Sequence, residues 1–277
     1  MSRARALFVN EALKTTRRLA FRVAIVCFVI IAGIGALGMH RVETRLRRPF
    51  ALPDGLSDMI GGLGDLTALI AAVLVILLVA SEFGWKTARQ NVIDGLSKDE
   101  FFAGKLGLVV AVALLLPAIV VISSVPIALL GPASTVDGVL IDRDVGADLA
   151  RLVLGLIGIG CAALLLAVVI RGSGAALAVY FAYVVILERL AGLAIRRSEP
   201  AWWRLAELLP SATFSKLFSP GLWTADGVQP GALSQALAAG QEGGAAPLPA
   251  VLVLAVAAGY TALFAAAAYQ VFHARDL

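Results

Sequence analysis

The sequence of 277 residues has few charged side chains. Asp, Glu, Lys and Arg make up 15% of it, hydrophobic residues make up 60%, and the mean hydropathy is +0.91. In an ordinary soluble domain about a quarter of the residues are charged. A water-soluble fold of this size could not bury so much apolar side chain, because much of its surface must be polar. The scarcity of charge therefore excludes a soluble globular domain and predicts an all-α integral membrane protein.

Cysteine and histidine are scarce as well, with two of each in the chain. Cys27 and Cys161 both lie within apolar runs, so we expect two small buried side chains rather than a disulfide or a metal-ligand pair. His40 and His273 lie near opposite ends of the chain. Because no Cys/His spacing resembles a metal site, no metal is expected in this chain.

A nucleotide-binding P-loop is absent. The one Gly-Lys pair is Gly104-Lys105, where Asp99 occupies the position of the first glycine and Leu106 follows in place of Ser or Thr. Neither a Gly-x-Ser-x-Gly nor a His-Glu-x-x-His motif occurs. The chain is therefore not expected to be an enzyme, and no cofactor is expected within it. The net charge of +4, without an aromatic-interleaved basic stripe, also argues against a nucleic-acid partner.

Six apolar stretches are candidates for membrane-spanning helices, within a single transmembrane domain over 1–277. A helix needs about 20 residues to cross the hydrocarbon. The fifth stretch is short, because Arg171 and Glu188 bracket it, and it either extends toward Ile195 or is a re-entrant helix. The predicted spans are 20–39, 66–83, 106–130, 152–170, 175–195 and 249–272.

Lys and Arg are distributed unevenly over the predicted connections. With the N-terminus inside, twelve of the 23 lie on the inner side. Five of the other eleven belong to the long segment before the last span, and long loops contribute little to the positive-inside rule. Twelve against six predicts cytoplasmic N- and C-termini for a multi-pass protein of the cell (inner) membrane. The arginines within 41–48 lie on the outer side in this arrangement and oppose it.

Two non-spanning segments near the predicted inner face have a helical pattern. In 1–19, Leu7 and Phe8 are expected to face lipid while Arg3, Lys14 and the pair Arg17-Arg18 meet headgroups, which favours an interfacial helix over a disordered basic tail. In 85–96, apolar residues recur every three or four positions. Ser97 and Glu100 then form a capping box that opens another helix. The second segment therefore predicts a helix-turn-helix suited to docking a soluble partner, or else an ordinary capped loop.

The predicted outer region, 188–248, is rich in aromatic residues. Trp202, Trp203, Phe214 and Phe218 are mixed with charged residues, which is typical of a membrane–water interface. Two prolines delimit short helices within this region. Its remainder is rich in Gly, Ala and Pro, which favours a loop.

The connection after the second span follows a recognisable order. A Glu ends the span, Thr and Arg follow, a short turn leads to a Ser-Lys pair, and a Lys opens the third span. The residues of this segment that we expect to contact a partner are Glu82, Trp85, Thr87, Arg89, Asp94, Gly95, Ser97, Lys98 and Lys105. The pattern resembles the permease subunit of ABC transporters of the ABC-2 type. Trp85-Lys86 and Lys98 depart mildly from that family's usual residues.

The resemblance implies an interfacial N-terminal helix, six spans, a cytosolic coupling helix-turn-helix after span two, and short outer helices before span six. It also implies a dimer of permeases that pairs with a separate cytosolic ATPase, which would bind ATP and Mg. The expected function is thus that of a transmembrane permease subunit in an ATP-driven exporter.

Two alternatives from other classes remain. An ion-coupled carrier would need buried carboxylates, and the sequence places only Arg22 near a span end, where it can snorkel. An intramembrane hydrolase would need paired polar catalytic groups at equal depth, and the sequence offers none.

Overall fold

The structure is a computed structural model that describes seven stretches of the chain. They are 14–45, 53–84, 97–130, 141–197, 203–224, 226–228 and 247–274. Most of the expected interfacial helix falls outside them, and so do Trp85, Thr87, Arg89, Asp94, Gly95 and Trp202. Only the backbone of Trp203 is described.

Six helices of the described chain are long and apolar enough to cross a membrane, which makes this an all-α membrane protein. The fifth helix, α5, has a π-helical middle, so it is given in three parts. The helices are α1 (Leu19–Arg45), α2 (Asp54–Gly84), α3 (Lys98–Leu130), α4 (Arg143–Ile170), α5 (Ser173–Phe181, Ala182–Leu187 and Glu188–Arg197) and α8 (Ala250–Ala274).

Several helices begin earlier than the apolar runs that marked them in the sequence. α2 starts at Asp54 rather than near 66, and α4 starts at Arg143 rather than near 152. The reason is that capping, not hydrophobicity, sets a helix start. At α4, the Asp142 carboxylate accepts a hydrogen bond from the Val145 amide at 2.8 Å. Polar first turns are thereby included in the helices.

The helices alternate in direction and form a bundle around α4. α4 packs against α2, α3, α5 and α8. α1, α5 and α8 lie at the periphery and leave many large apolar side chains exposed, such as Ile34 on α1 and Leu263 on α8. In water such a surface would be unfavourable, whereas hydrocarbon accepts it.

Arg171 and Gly172 alone join α4 to α5. Arg171 adopts the left-handed conformation with φ of 57°, and its amide donates to the Ala167 carbonyl. A left-handed residue ends a helix by satisfying its last carbonyl groups. The predicted tight connection between these spans is therefore observed as a hairpin.

Short elements cover the end of the bundle at which α4 and α8 begin. They are α6 (Trp203–Glu207), α7 (Pro210–Leu217), a 3₁₀ turn (Pro220–Leu222) and the antiparallel strands β1 (Trp223–Thr224) and β2 (Gly227–Val228). We call this the α7 end, and we call the other the Glu82 end, because Glu82 lies in the last turn of α2 there.

Candidate functional site

A buried charge cluster lies at the Glu82 end, where α2 ends and α3 begins. Glu82 is 4% exposed and Lys105 is 2% exposed. The Lys105 Nζ atom lies 2.6 Å from the Glu82 Oε2 atom. The Arg18 Nη2 atom donates to the Glu82 Oε1 atom at 2.8 Å. One carboxylate thus binds two cations, and we call Arg18, Glu82 and Lys105 the Glu82 cluster.

Each cation of the cluster makes a second contact. The Arg18 Nη1 atom donates to the Leu78 carbonyl at 2.6 Å and to the Ser81 hydroxyl at 2.8 Å. These bonds attach Arg18 to the C-terminal part of α2, where the Ser81 hydroxyl also donates to the Leu78 carbonyl at 3.2 Å. The Lys105 ammonium lies 4.8 Å from the centre of the Phe101 ring, a cation–π contact. The charges are therefore well compensated, and removal of Glu82 leaves the buried Lys105 ammonium without its counter-charge.

The Glu82 cluster connects three segments of the chain. Glu82 lies three residues before the segment 85–96, and Lys105 lies nine residues after it, at the end of the second turn of α3. Arg18 directly precedes α1. The cluster therefore joins the end of α2 and the first turns of α3 to the start of α1. Glu82 and Lys105 were expected here from the family resemblance. Arg18 was not, because in the sequence it is one basic residue among several near the N-terminus.

The start of α3 is built as the capping box that the sequence predicts. The Glu100 amide donates to the Ser97 hydroxyl at 3.1 Å, and the Ser97 amide donates to the Glu100 carboxylate at 3.0 Å. Such a box typically contributes about 1 kcal/mol. The Lys98 Nζ atom lies 3.4 Å from the His273 carbonyl in the last turn of α8.

A second set of contacts ties the same end of α3 to α8. The Asp99 carboxylate accepts a hydrogen bond from the Tyr269 hydroxyl at 2.9 Å, and the His273 Nε2 atom lies 2.9 Å from the same oxygen. Beneath them, the Phe101 ring stacks on the Phe272 ring with 5.5 Å between centroids. The first turns of α3 are therefore held by the Glu82 cluster on one side and by α8 on the other.

The sequence predicts that Phe214 and Phe218 lie at the membrane–water interface. In the structure both side chains are buried within the protein at the α7 end. Glycines on the facing helices make room for them. A Cβ atom at Gly155 would lie 2.5 Å from the Phe218 ring, and one at Gly64 would lie 2.5 Å from the Phe218 Cβ atom. Gly158 makes the same kind of space for the Phe214 ring. Aromatic side chains that fill such notches bury large apolar area, which explains the difference from the expectation.

The expectation that buried carboxylates are absent is corrected as well. Glu82, Asp148, Glu188 and Glu207 are all buried. Asp148 pairs with Arg151 and accepts a hydrogen bond from the Ser57 hydroxyl at 2.5 Å. In the sequence, Glu82 lies at the edge of a predicted span, Asp148 and Glu207 lie outside the spans, and Glu188 lies within the fifth. The early start of α4 includes Asp148 in that helix, and the short helix α6 carries Glu207.

Glu207 also finds a cation within the bundle. The Lys216 Nζ atom lies 2.7 Å from the Glu207 carboxylate and donates to the Glu207 carbonyl at 2.7 Å. The pair joins α6 to α7. The sequence of 203–217 did not predict this ion pair, because charged residues among interfacial aromatic residues are expected to face lipid headgroups.

Within the described residues, no group of three or more His, Cys, Asp or Glu side chains is arranged to hold a metal ion. An open cavity of about 490 Å³ lies at the α7 end between α2 and the segment 215–222. Its lining includes Ser57, Asp58, Ser215 and Ser219. Its polar groups are mainly hydroxyls, so it offers no catalytic constellation.

Comparison of the chain with protein-family models and with curated proteins yields no match. The functional assignment therefore depends on the residues and their geometry.

Proposed function

We propose that this chain is the transmembrane permease subunit of an ATP-driven exporter of the ABC-2 type, which works with a separate cytosolic ATPase subunit. The observation that supports the proposal most is the Glu82 cluster. A permease without a nucleotide site must receive mechanical work from a partner. It therefore needs a partner-facing segment whose two ends are tied firmly to several spans.

The segment 85–96 satisfies that requirement. Glu82 holds the chain where it leaves α2, and Lys105 binds the same carboxylate from α3. Arg18 adds α1 to the connection. Because these charges are buried and paired, their separation is unfavourable by several kcal/mol, so the three helices should move as a unit. A push on the segment from a soluble ATPase would then reach half of the six spans.

The remaining parts of the proposal follow from the charge distribution and the family resemblance. The excess of Lys and Arg puts the Glu82 end at the cytoplasm of the cell (inner) membrane, with both termini inside. Two permease copies, identical or related, would form the pathway. ATP and Mg would bind to the partner ATPase only.

The test is a pair of substitutions in the partner-facing segment, Arg89→Glu and Gly95→Val. Both are expected to leave the protein inserted and folded, because neither residue belongs to an apolar span. Co-purification of the ATPase or substrate-stimulated ATP hydrolysis should fall at least about tenfold, as expected for loss of roughly 1.4 kcal/mol or more of coupling. Glu242→Lys, in the outer region, is the control and should have little effect. Normal ATPase association and normal transport in both variants would contradict the proposal.

The ion-coupled carrier is the second candidate, and one observation favours it. Glu188 lies within the span Ser173–Ile195, and no Lys or Arg pairs with it among the described residues. A carboxylate of this kind is common in ion-driven transporters. Reconstitution of the chain alone discriminates the two functions. Transport driven by an ion gradient without any ATPase would favour the carrier.

A further inference from the structure

Glu188 is a buried carboxylate in the C-terminal part of α5, next to the α7 end. It is 6% exposed and follows the π-helical turn Ala182–Leu187 of α5. π-Helical turns are rare and are often found at functional sites. The neighbouring residues on the outer surface of α5, such as Ile186 and Leu187, are exposed and apolar. The carboxylate is therefore covered by protein on a helix that otherwise faces lipid.

One oxygen of Glu188 is fully used. The Ser211 amide donates to the Oε1 atom at 2.6 Å, and the Ala212 amide lies 3.4 Å from the same atom. These amides are at the N-terminus of α7, where the helix dipole favours a negative charge. The carboxylate thus fixes α7 against α5. This contact explains why the side chain points inward rather than toward the membrane surface.

The other oxygen has no partner. The Oε2 atom is buried and accepts no hydrogen bond within the described structure. The other three buried carboxylates each pair with Lys or Arg. Among the charged side chains that the structure describes on α6 and α7, Glu207 and Lys216 pair with each other, and Arg189 on the helix of Glu188 is exposed.

Three tyrosine side chains also lie near Glu188. The Tyr183 hydroxyl lies beside the carboxylate, and Tyr180 and Tyr260 are within its electrostatic range. The Tyr260 hydroxyl donates to the Leu208 carbonyl at 3.0 Å. The site thus combines one negative charge with several neutral oxygens. The carboxylate and the tyrosine oxygens are hard ligands, which suit a proton or a hard monovalent cation.

We propose that the Glu188 carboxylate, with the Tyr183 hydroxyl, binds one monovalent cation, either a proton or an alkali-metal ion. A single positive charge removes the cost of an unpaired buried carboxylate, which is several kcal/mol. A proton needs no additional space at Oε2, whereas a metal ion would also use the tyrosine oxygens. The occupied site keeps α7 docked on α5. This inference does not depend on an ATPase partner.

The experiment compares wild type with Glu188→Gln as the full chain in lipid nanodiscs. Gln retains an acceptor for the α7 amides but carries no charge. The melting temperature is measured from pH 5 to pH 8, and with sodium against choline chloride at constant ionic strength. The melting temperature of wild type should rise by about 3 °C for each tenfold increase in the concentration of the cation that binds. The melting temperature of Glu188→Gln should not depend on that concentration. Asp226→Asn, an exposed carboxylate at the same end, should behave as wild type.

Two arms distinguish the cations. If the ion is a proton, infrared spectra of wild type contain a protonated-carboxyl band that Glu188→Gln lacks, and sodium has no effect. If it is sodium, the melting temperature saturates with sodium at fixed pH in wild type only. Identical pH and sodium dependences in wild type and Glu188→Gln overturn the proposal. Should Glu188→Gln fail to fold, Tyr183→Phe decides, because loss of the hydroxyl beside the carboxylate must change the midpoint of the pH or sodium dependence at least about threefold.

Discussion

At the residue scale, Glu82 illustrates how one carboxylate can hold three helices. It accepts a hydrogen bond from Arg18 and pairs with Lys105, and both contacts are shielded from bulk water to different degrees. Lys105 is the more deeply buried cation. The two substitutions should therefore cost different amounts of stability. Removal of Glu82 leaves the buried Lys105 ammonium without a counter-charge, whereas removal of Arg18 leaves a carboxylate that is still paired with Lys105.

Glu82→Gln should therefore be strongly destabilising. We expect a loss of about 3–5 kcal/mol, because Lys105 is left buried without a counter-charge. Thermal unfolding of the purified protein in detergent is the measurement. Asp58→Asn, an exposed carboxylate on the same helix, is the matched control and should change stability by no more than about 0.5 kcal/mol.

The double variant Glu82→Gln with Lys105→Met sharpens this prediction. If the cost of Glu82→Gln comes from the stranded ammonium, the second substitution should restore part of the stability, so that the two effects are not additive. Strict additivity would mean that the two residues do not interact energetically, and the proposed connection between α2 and α3 would be lost.

At the element scale, α7 is held by three kinds of contact. Glu188 binds its N-terminus, the Glu207–Lys216 pair joins it to α6, and Phe214 with Phe218 fills notches on α2 and α4. A helix of eight residues is too short to be stable by itself, so these contacts must supply its stability. The glycines opposite the two rings are therefore as necessary as the rings.

Gly155→Ala tests the notch. The added methyl group would meet the Phe218 ring, so α7 should be displaced, at a cost of about 1–3 kcal/mol from overpacking. Gly146→Ala on the same helix is the matched control, since nothing lies within 4 Å of the added Cβ atom. It should be neutral or stabilising by up to about 1 kcal/mol through helix propensity. Equal melting temperatures for the two variants would contradict the packing of α7 described above.

At the scale of the whole molecule, the charge distribution makes a prediction about orientation. Ser97 is exposed at the Glu82 end and Asp226 is exposed at the α7 end. Single cysteines at these positions, in a background without Cys27 and Cys161, should react with a membrane-impermeant thiol reagent from opposite sides. In intact cells the cysteine at 226 should be labelled and the one at 97 protected. Labelling of both from outside would contradict the orientation with six spans and both termini in the cytoplasm.

Composition and periodicity by themselves determined that this protein lies in a membrane and is helical. With 15% charged residues the chain could not cover a soluble surface, and within lipid a helix satisfies its own backbone groups. Local signals also sufficed for the capping box at Ser97 and the tight turn at Arg171. These features depend on residues a few positions apart, which a sequence displays directly.

Only the tertiary structure decided which buried groups meet. Arg18 and Glu82 are 64 positions apart, and Glu188 is 23 positions from the Ser211 amide that it binds. No periodicity relates such residues, because the packing of separate helices sets their distance. The same holds for Phe218, whose burial depends on glycines in two other helices. A Glu in the sequence therefore looks the same whether it is paired, as Glu82 is, or has an unpartnered oxygen, as Glu188 does.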